Sequence, residues 1–275
     1  MGIVTEIKAG KPVPVPVIDA HTHLGEFSGT GMHQAYHSVE DTVKMMDAVG
    51  IDAIVTSPIV MDLGYAALAN QQTVEAMAQY PNRIYGMLVV TPHDGSESVR
   101  AIVNRYSRID GFVAMKMLTG YHGAPTRPEY AYAFDFAQEC GCPVTLHIWE
   151  KDKITHEHVA RILEQYPKLK LILAHQGGGT RQMTLNAAKL MRQCDRLYMD
   201  TCGSLWNNLG MDEIALLVGD DRMCYGSDVL FMDPRFEIGR IAFSGMPEKS
   251  MRKIFSENYI RVLEGSQMGQ IKLVK

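Results

Sequence analysis

What narrows this 275-residue chain first is what it does not contain. Its 27 Lys and Arg stand against 31 Asp and Glu, a formal net charge of −4, and no basic block interrupts the sequence. Nucleic acid is therefore not an expected partner. No apolar run approaches the roughly 20 residues that a membrane-spanning helix needs, so no membrane partner is expected either. The opening Met1-Gly2-Ile3-Val4-Thr5-Glu6 has no basic stretch before an apolar core, and Glu6 stands where a myristoylation pattern wants Ser or Thr. The five cysteines, Cys140, Cys142, Cys194, Cys202 and Cys224, are odd in number and never spaced Cys-x-x-Cys. That spacing argues against a disulfide framework or a zinc knuckle. They read instead as small buried residues of a reducing, cytoplasmic protein.

What is present is a repeated alternation. Short apolar runs, each a candidate strand, precede amphipathic segments with helix punctuation. The first run ends at His23; Ser38 then reads as an N-cap with an acid three residues on, and Gly50 as the stop. Later runs are Ile51 to Thr56, Ile84 to Val90, Gly111 to Leu118, Pro143 to His147, Leu169 to Ala174, Leu197 to Thr201 and Met223 to Tyr225. Eight strand-then-helix units with near-continuous apolar strands predict a parallel sheet covered by helices, an α/β (β/α)8 TIM barrel. An open doubly wound sheet is the alternative, but no Gly-x-Gly-x-x-Gly follows the first strand. No linker divides the chain, so residues 1–275 are expected to form one domain with its barrel over about 16–263.

In such barrels the reactive groups sit at the C-terminal ends of the strands. Strand one ends in His21-Thr22-His23, whose alternate side chains share a face. His93 follows strand three, Lys116 lies in strand four, His147 and His175 close strands five and six, and Asp228 follows strand eight. Imidazoles and a carboxylate converging on one rim make a metal site. Three roles stay open for Lys116: a pocket cation for an anionic substrate, a surface or structural residue, or, as the family resemblance given below implies for some branches, a carboxylated bridge between two metals. His93, His122, Trp149 and Arg181 also fall on the rim and are candidate contacts for a small-molecule substrate, an aromatic wall with an arginine suiting a planar acid. Glu150 and Trp206 lie in the same loops. His33 and His37 sit in a Gly-rich loop without an acidic partner, while His156 and His158 read as solvated surface residues. Gly177-Gly178-Gly179 has the look of a phosphate cradle at a helix start, or of a turn that lets substrate approach the backbone beside His175, the reading favoured by the family resemblance given below.

As a set, His21-Thr22-His23, Leu146-His147, Ala174-His175-Gln176-Gly177-Gly178 and Gly226-Ser227-Asp228 resemble the amidohydrolase superfamily. The similar branch is the one that includes aminocarboxymuconate-semialdehyde decarboxylase-like enzymes and many amidohydrolase-related hydrolases. The resemblance runs from Ile18 to about Leu263. It implies that His21, His23, His147 and Asp228 hold one divalent cation, Zn2+ first and Mn2+, Fe2+ or Co2+ as alternatives. It also implies that His175 is a catalytic acid or base, with Asp228 beside it on the metal-bound water.

Two chemistries fit that set. The leading expectation is a metal-dependent hydrolase that turns an activated water on an amide, lactone or other ester-like bond. The alternative is non-oxidative decarboxylation of an aromatic or unsaturated carboxylic acid, with Arg181 or Lys116 holding the carboxylate. A catalytically inactive binding barrel is a third reading. Barrels of this kind often pair through outer helices, so a homodimer is the expectation for assembly.

Overall fold

The alternating runs resolve into eight parallel strands, hydrogen-bonded in sequence order: β1 (Ile18–Thr22), β2 (Ala53–Thr56), β3 (Ile84–Val89), β4 (Phe112–Met117), β5 (Pro143–Leu146), β6 (Lys170–Leu173), β7 (Leu197–Asp200) and β8 (Met223–Cys224). The computed structural model describes residues 2–25, 38–149, 155–203 and 210–273. The sheet closes on itself where the Ala20 amide donates to the Tyr225 carbonyl at 2.8 Å and the Asp228 amide to that of His21 at 3.0 Å. This is the expected (β/α)8 barrel.

Local chemistry sets the helices between the strands. Ser38 accepts from the Asp41 amide at 3.0 Å to start Val39–Val49, and Gly50, at φ 86°, ends it in the left-handed region. Thr180 accepts from the Met183 amide to start Arg181–Met191. Among the described residues, short elements beyond the expected units include a helix at Ile3–Lys8 in the lead-in, a 3-10 turn at Ile59–Leu63 after β2, and helical turns at Thr119–His122 after β4 and His175–Gly178 after β6. No helix of the described residues is long and apolar enough to cross a membrane.

Two register irregularities decide which side chains enter the barrel. Asp19 pairs with Ile54, but Thr22 pairs with Thr56, so β1 carries one residue more than β2 across that interval. Ile18 and Ala20 pack into the inner cluster with Ala53, Val55, Met87 and Ala114. Beyond the irregularity it is His21 and His23 whose rings meet, 5.3 Å between centroids. Such a bulge re-aims side chains beside a site. The second irregularity falls between Gly86↔Phe112 and Met87↔Ala114. Phe112 therefore packs outward against the helices while Val113 and Ala114 both belong to the inner cluster, and simple alternation from Phe112 to Lys116 does not hold. Lys116 keeps its inward direction and is fully buried.

Candidate metal centre

Hydrogen bonding fixes the two histidines of β1. His23 Nδ1 donates to the Ser57 carbonyl at 2.9 Å, and His21 Nδ1 donates to Asp200 Oδ2 at 2.7 Å. A neutral imidazole with its proton on Nδ1 carries an electron pair on Nε2. Both of those pairs face Asp228, whose Oδ1 lies 3.2 Å from His23 Nε2 and 3.8 Å from His21 Nε2. Three buried donors thus point at one another with no proton to share, which is the electronic demand of a cation. Their ligand atoms all lie within 4.8 Å of one another. The residues present fit a divalent metal.

Lys116 meets that demand from the wall of the barrel. Its Nζ donates to His21 Nε2 at 2.6 Å. Burial lowers the lysine's affinity for its proton, against the pull of Cys202, Asp200, Asp228 and Asp62. A cation entering between the histidines competes with this ammonium for the same electron pair. The surface reading of Lys116 is excluded by its burial.

The other expected residues divide. His147 leaves β5 beside the cluster, and its Nδ1 shares a 3.0 Å hydrogen bond with His175 Nε2. It is not one of the converging three; its ring is turned toward His175, 4.7 Å between centroids. His175 Nδ1 in turn lies 4.0 Å from Asp228 Oδ2. Burial, reinforced by neighbouring cationic and imidazole groups, holds His21, His147 and His175 well below the ordinary imidazole range. His175, Gln176 and Asp228 all have positive φ, 56°, 55° and 61°, a conformation that costs non-glycine residues about 1–3 kcal/mol each and gathers at functional sites.

His93 and His122 tie loops together. His93, exposed, donates from Nε2 to His122 Nδ1 at 2.6 Å, and buried His122 donates to the Met61 carbonyl at 2.9 Å. Arg181 is exposed at the first position of its helix, outside the cluster. His156, expected in solvent, reaches the Gly177 carbonyl at 3.0 Å and braces the turn after His175. His33, His37, Glu150 and Trp206 lie outside the described residues.

Several neighbours of the site were not singled out by sequence. Three aromatic rings each stand edge-on to a different site histidine. Trp149 meets His175 at 4.9 Å and 84°, Tyr121 meets His147 at 5.6 Å and 74°, and Phe231 meets His23 at 5.4 Å and 67°. Only Trp149 was a candidate. Asp62, half-buried in the turn after β2, stands in the field of His23, Lys116 and Asp228, and burial raises its pKa. Asp200 and Cys202 lie behind His21. An acid closing the apolar run Leu197-Tyr198-Met199 was the available signal for Asp200.

A parallel barrel with a buried imidazole–carboxylate donor set at the C-terminal ends of its strands defines a class of metal-dependent barrel enzymes. Within that class, a sequence profile of the amidohydrolase family matches residues 18–264, and the chain belongs to that family. Solved structures share the fold at low identity. 2,6-Dihydroxybenzoate decarboxylase complexed with 2,6-dihydroxybenzoate is 17% identical, with a TM-score of 0.72, covering 91% of this chain and 99% of that one. Dihydroxybenzoic acid decarboxylase from Polaromonas, with manganese and 2-nitroresorcinol, is 17% identical, with a TM-score of 0.72 and coverage of 91% and 97%. 5-Carboxyvanillate decarboxylase from Novosphingobium aromaticivorans, with manganese and a nitrobenzoic acid, is 16% identical, with a TM-score of 0.71 and coverage of 93% and 98%. No curated protein sequence matches the chain. The leading expectation of a hydrolase is corrected by these neighbours: all three are decarboxylases, two of them with manganese bound.

Proposed function

We propose that this protein removes CO2, without oxidation, from an aromatic carboxylic acid, using a divalent cation held by His21, His23 and Asp228 with His147 at its side. The buried Lys116 ammonium beside the imidazole–carboxylate cluster carries the reading, together with Trp149, Tyr121 and Phe231 at the site histidines, because a cation suits a carboxylate and aromatic surface suits the flat ring that bears it. Manganese is the cation we favour over zinc: two decarboxylases of the same fold hold it, and mixed imidazole–carboxylate donors accept it. When bound, the cation would draw electron density from the substrate's oxygens and ease the build-up of negative charge on the ring.

The chain's own residues do the rest. The Lys116 ammonium, fully buried in the barrel wall, pairs with the substrate's carboxylate, and its seclusion from water strengthens that pairing. As the bond from ring carbon to carboxyl carbon breaks, its electron pair stays on the ring and CO2 departs. His175 delivers a proton to that carbon, so that hydrogen replaces the carboxyl group. Burial favours the neutral ring, so His175 first takes this proton from water and, once protonated, gives it up readily to the carbon. Asp228, 4.0 Å from His175 Nδ1, stabilises the cationic ring.

The test is a panel of hydroxybenzoic acids incubated with the manganese-loaded protein in D2O. The expected result is CO2 release with one deuterium at the vacated ring position, abolished by a chelator and restored by manganese. Metal-loaded protein that releases no CO2 from any aromatic acid would overturn the proposal.

A further inference from the structure

Asp200 ends β7 with both carboxylate oxygens committed. Oδ2 accepts from His21 Nδ1 at 2.7 Å. Oδ1 accepts from the backbone amides of His175 at 2.9 Å and Cys202 at 3.3 Å, and from the Cys202 thiol at 3.0 Å. Across the His21 ring, Lys116 donates to Nε2 at 2.6 Å. An acceptor on one side and a donor on the other leave the imidazole a single arrangement.

We infer that Asp200 is a positioning residue that acts through His21: it holds the proton on Nδ1, so that Nε2 presents its electron pair to the metal, while the same carboxylate anchors the turn that carries His175. The inference rests on His21 being a metal ligand and not on the reaction proposed above. A carboxylate behind a ligating histidine fixes both its tautomer and its orientation.

Chemistry makes this separable from simple packing. Asp200→Asn keeps the shape but turns one oxygen into an NH2 donor. If that NH2 faced the amides of His175 and Cys202, donor would meet donor, and a backbone amide cannot change its role. The NH2 therefore faces His21, which adapts by moving its proton to Nε2 while the flexible Lys116 side chain, unlike a backbone amide, turns its Nζ aside. Nε2 then has no electron pair for a metal. Asp200→Ala imposes no tautomer, although it abandons every donor that Asp200 serves. A packing role makes Ala the worse variant; a tautomer role makes Asn the worse one.

The experiment uses full-length protein labelled with 15N-histidine, with His21→Gln identifying the His21 signals, and manganese affinity measured by competition with a chelator. In metal-free wild type, His21 is expected to be protonated on Nδ1, and in Asp200→Asn on Nε2. Manganese affinity should fall about 10- to 100-fold in Asp200→Asn, and by less in Asp200→Ala. Circular dichroism reports whether each variant is folded. Should neither fold, the wild-type tautomer alone decides, since protonation on Nε2 overturns the inference. Affinity that is unchanged in Asp200→Asn, or lower in Ala than in Asn, also overturns it. A folded wild type that takes up no divalent cation overturns the metal centre itself. A metal-loaded enzyme without decarboxylase activity overturns only the proposed reaction.

Discussion

Lys116 Nζ lies 2.6 Å from His21 Nε2, so a buried ammonium holds the electron pair that a metal bound there would need. Two consequences separate the roles of this lysine. Removing the charge removes a competitor for the metal, and it also removes the partner of an anionic substrate. Lys116→Met is therefore expected to bind manganese at least as tightly as wild type. Its KM for an aromatic acid should rise about 10- to 100-fold, the loss of a charged hydrogen bond of about 1.5–3 kcal/mol. Chelator competition and steady-state kinetics on the same preparation check both. Weakened metal binding would instead mean that Lys116 is itself part of the metal's support.

Trp149 is seated as well as exposed to the site. A Cβ at Gly179 would meet its ring at 2.6 Å, so that glycine is the floor on which the indole lies against His175. Trp149→Ala should leave metal content unchanged and lower kcat/KM for aromatic acids about tenfold, in line with an aromatic contact of about 0.5–1.5 kcal/mol. Trp149→Phe should recover most of the loss. Equal losses in both variants would count against ring contact with the substrate.

Asp62 supplies a pH dependence. Burial raises its pKa, in spite of His23 and Lys116 nearby. The native protein thus takes up this proton more readily than the unfolded chain does. The associated stability is full in acid, below the unfolded carboxyl pKa of about 3.9, and is lost as pH rises through the raised native value. Function should move the same way. Ionised Asp62 adds a negative charge beside Lys116 and repels a substrate carboxylate, so KM should climb with pH across that titration. Asp62→Asn should flatten the climb and lessen the loss of melting temperature over the same interval. A KM profile identical to wild type would place Asp62 outside the substrate's reach.

The barrel was legible because eight apolar runs, each stopped by turn chemistry, say the same thing independently. That His21, His23 and Asp228 come together was legible because the two histidines close the first run and Asp228 follows the last, at the end of the barrel where the loops meet. What was hidden depends on register between strands. The extra residue in β1 that turns His21 and His23 inward is defined only against β2, and the outward turn of Phe112 only against β3. Asp200 looked like the last residue of a strand; nothing in Leu197-Tyr198-Met199-Asp200 tells that its two oxygens serve β1 and the turn after β6 together. Phe231 and Tyr121 are loop aromatics, whose partners are chosen by tertiary packing alone. Cys202 read as a small core residue and is buried, yet it lies 3.0 Å from His21 Nδ1 and 3.4 Å from His175 Nδ1.

Gly203 gives the sharpest handle on His175. It sits at φ 67°, and a Cβ there would fall 2.2 Å from His175 Nδ1. Real atoms do not approach so closely, so Gly203→Ala must displace the imidazole from its place beside Asp228 and Cys202. The left-handed backbone adds strain of about 1–3 kcal/mol, which lowers the melting temperature by several degrees at most. The donors His21, His23 and Asp228 are untouched, so manganese content should equal that of wild type. Proton delivery should suffer: kcat is expected to fall at least about 100-fold, the scale of a lost general acid, with KM little changed. His175→Ala, which has no ring to displace, serves as the reference. Adding Gly203→Ala to that variant should lower kcat no further, because the glycine acts through the imidazole. A further drop in the double variant would show that Gly203 shapes the site by a route other than His175.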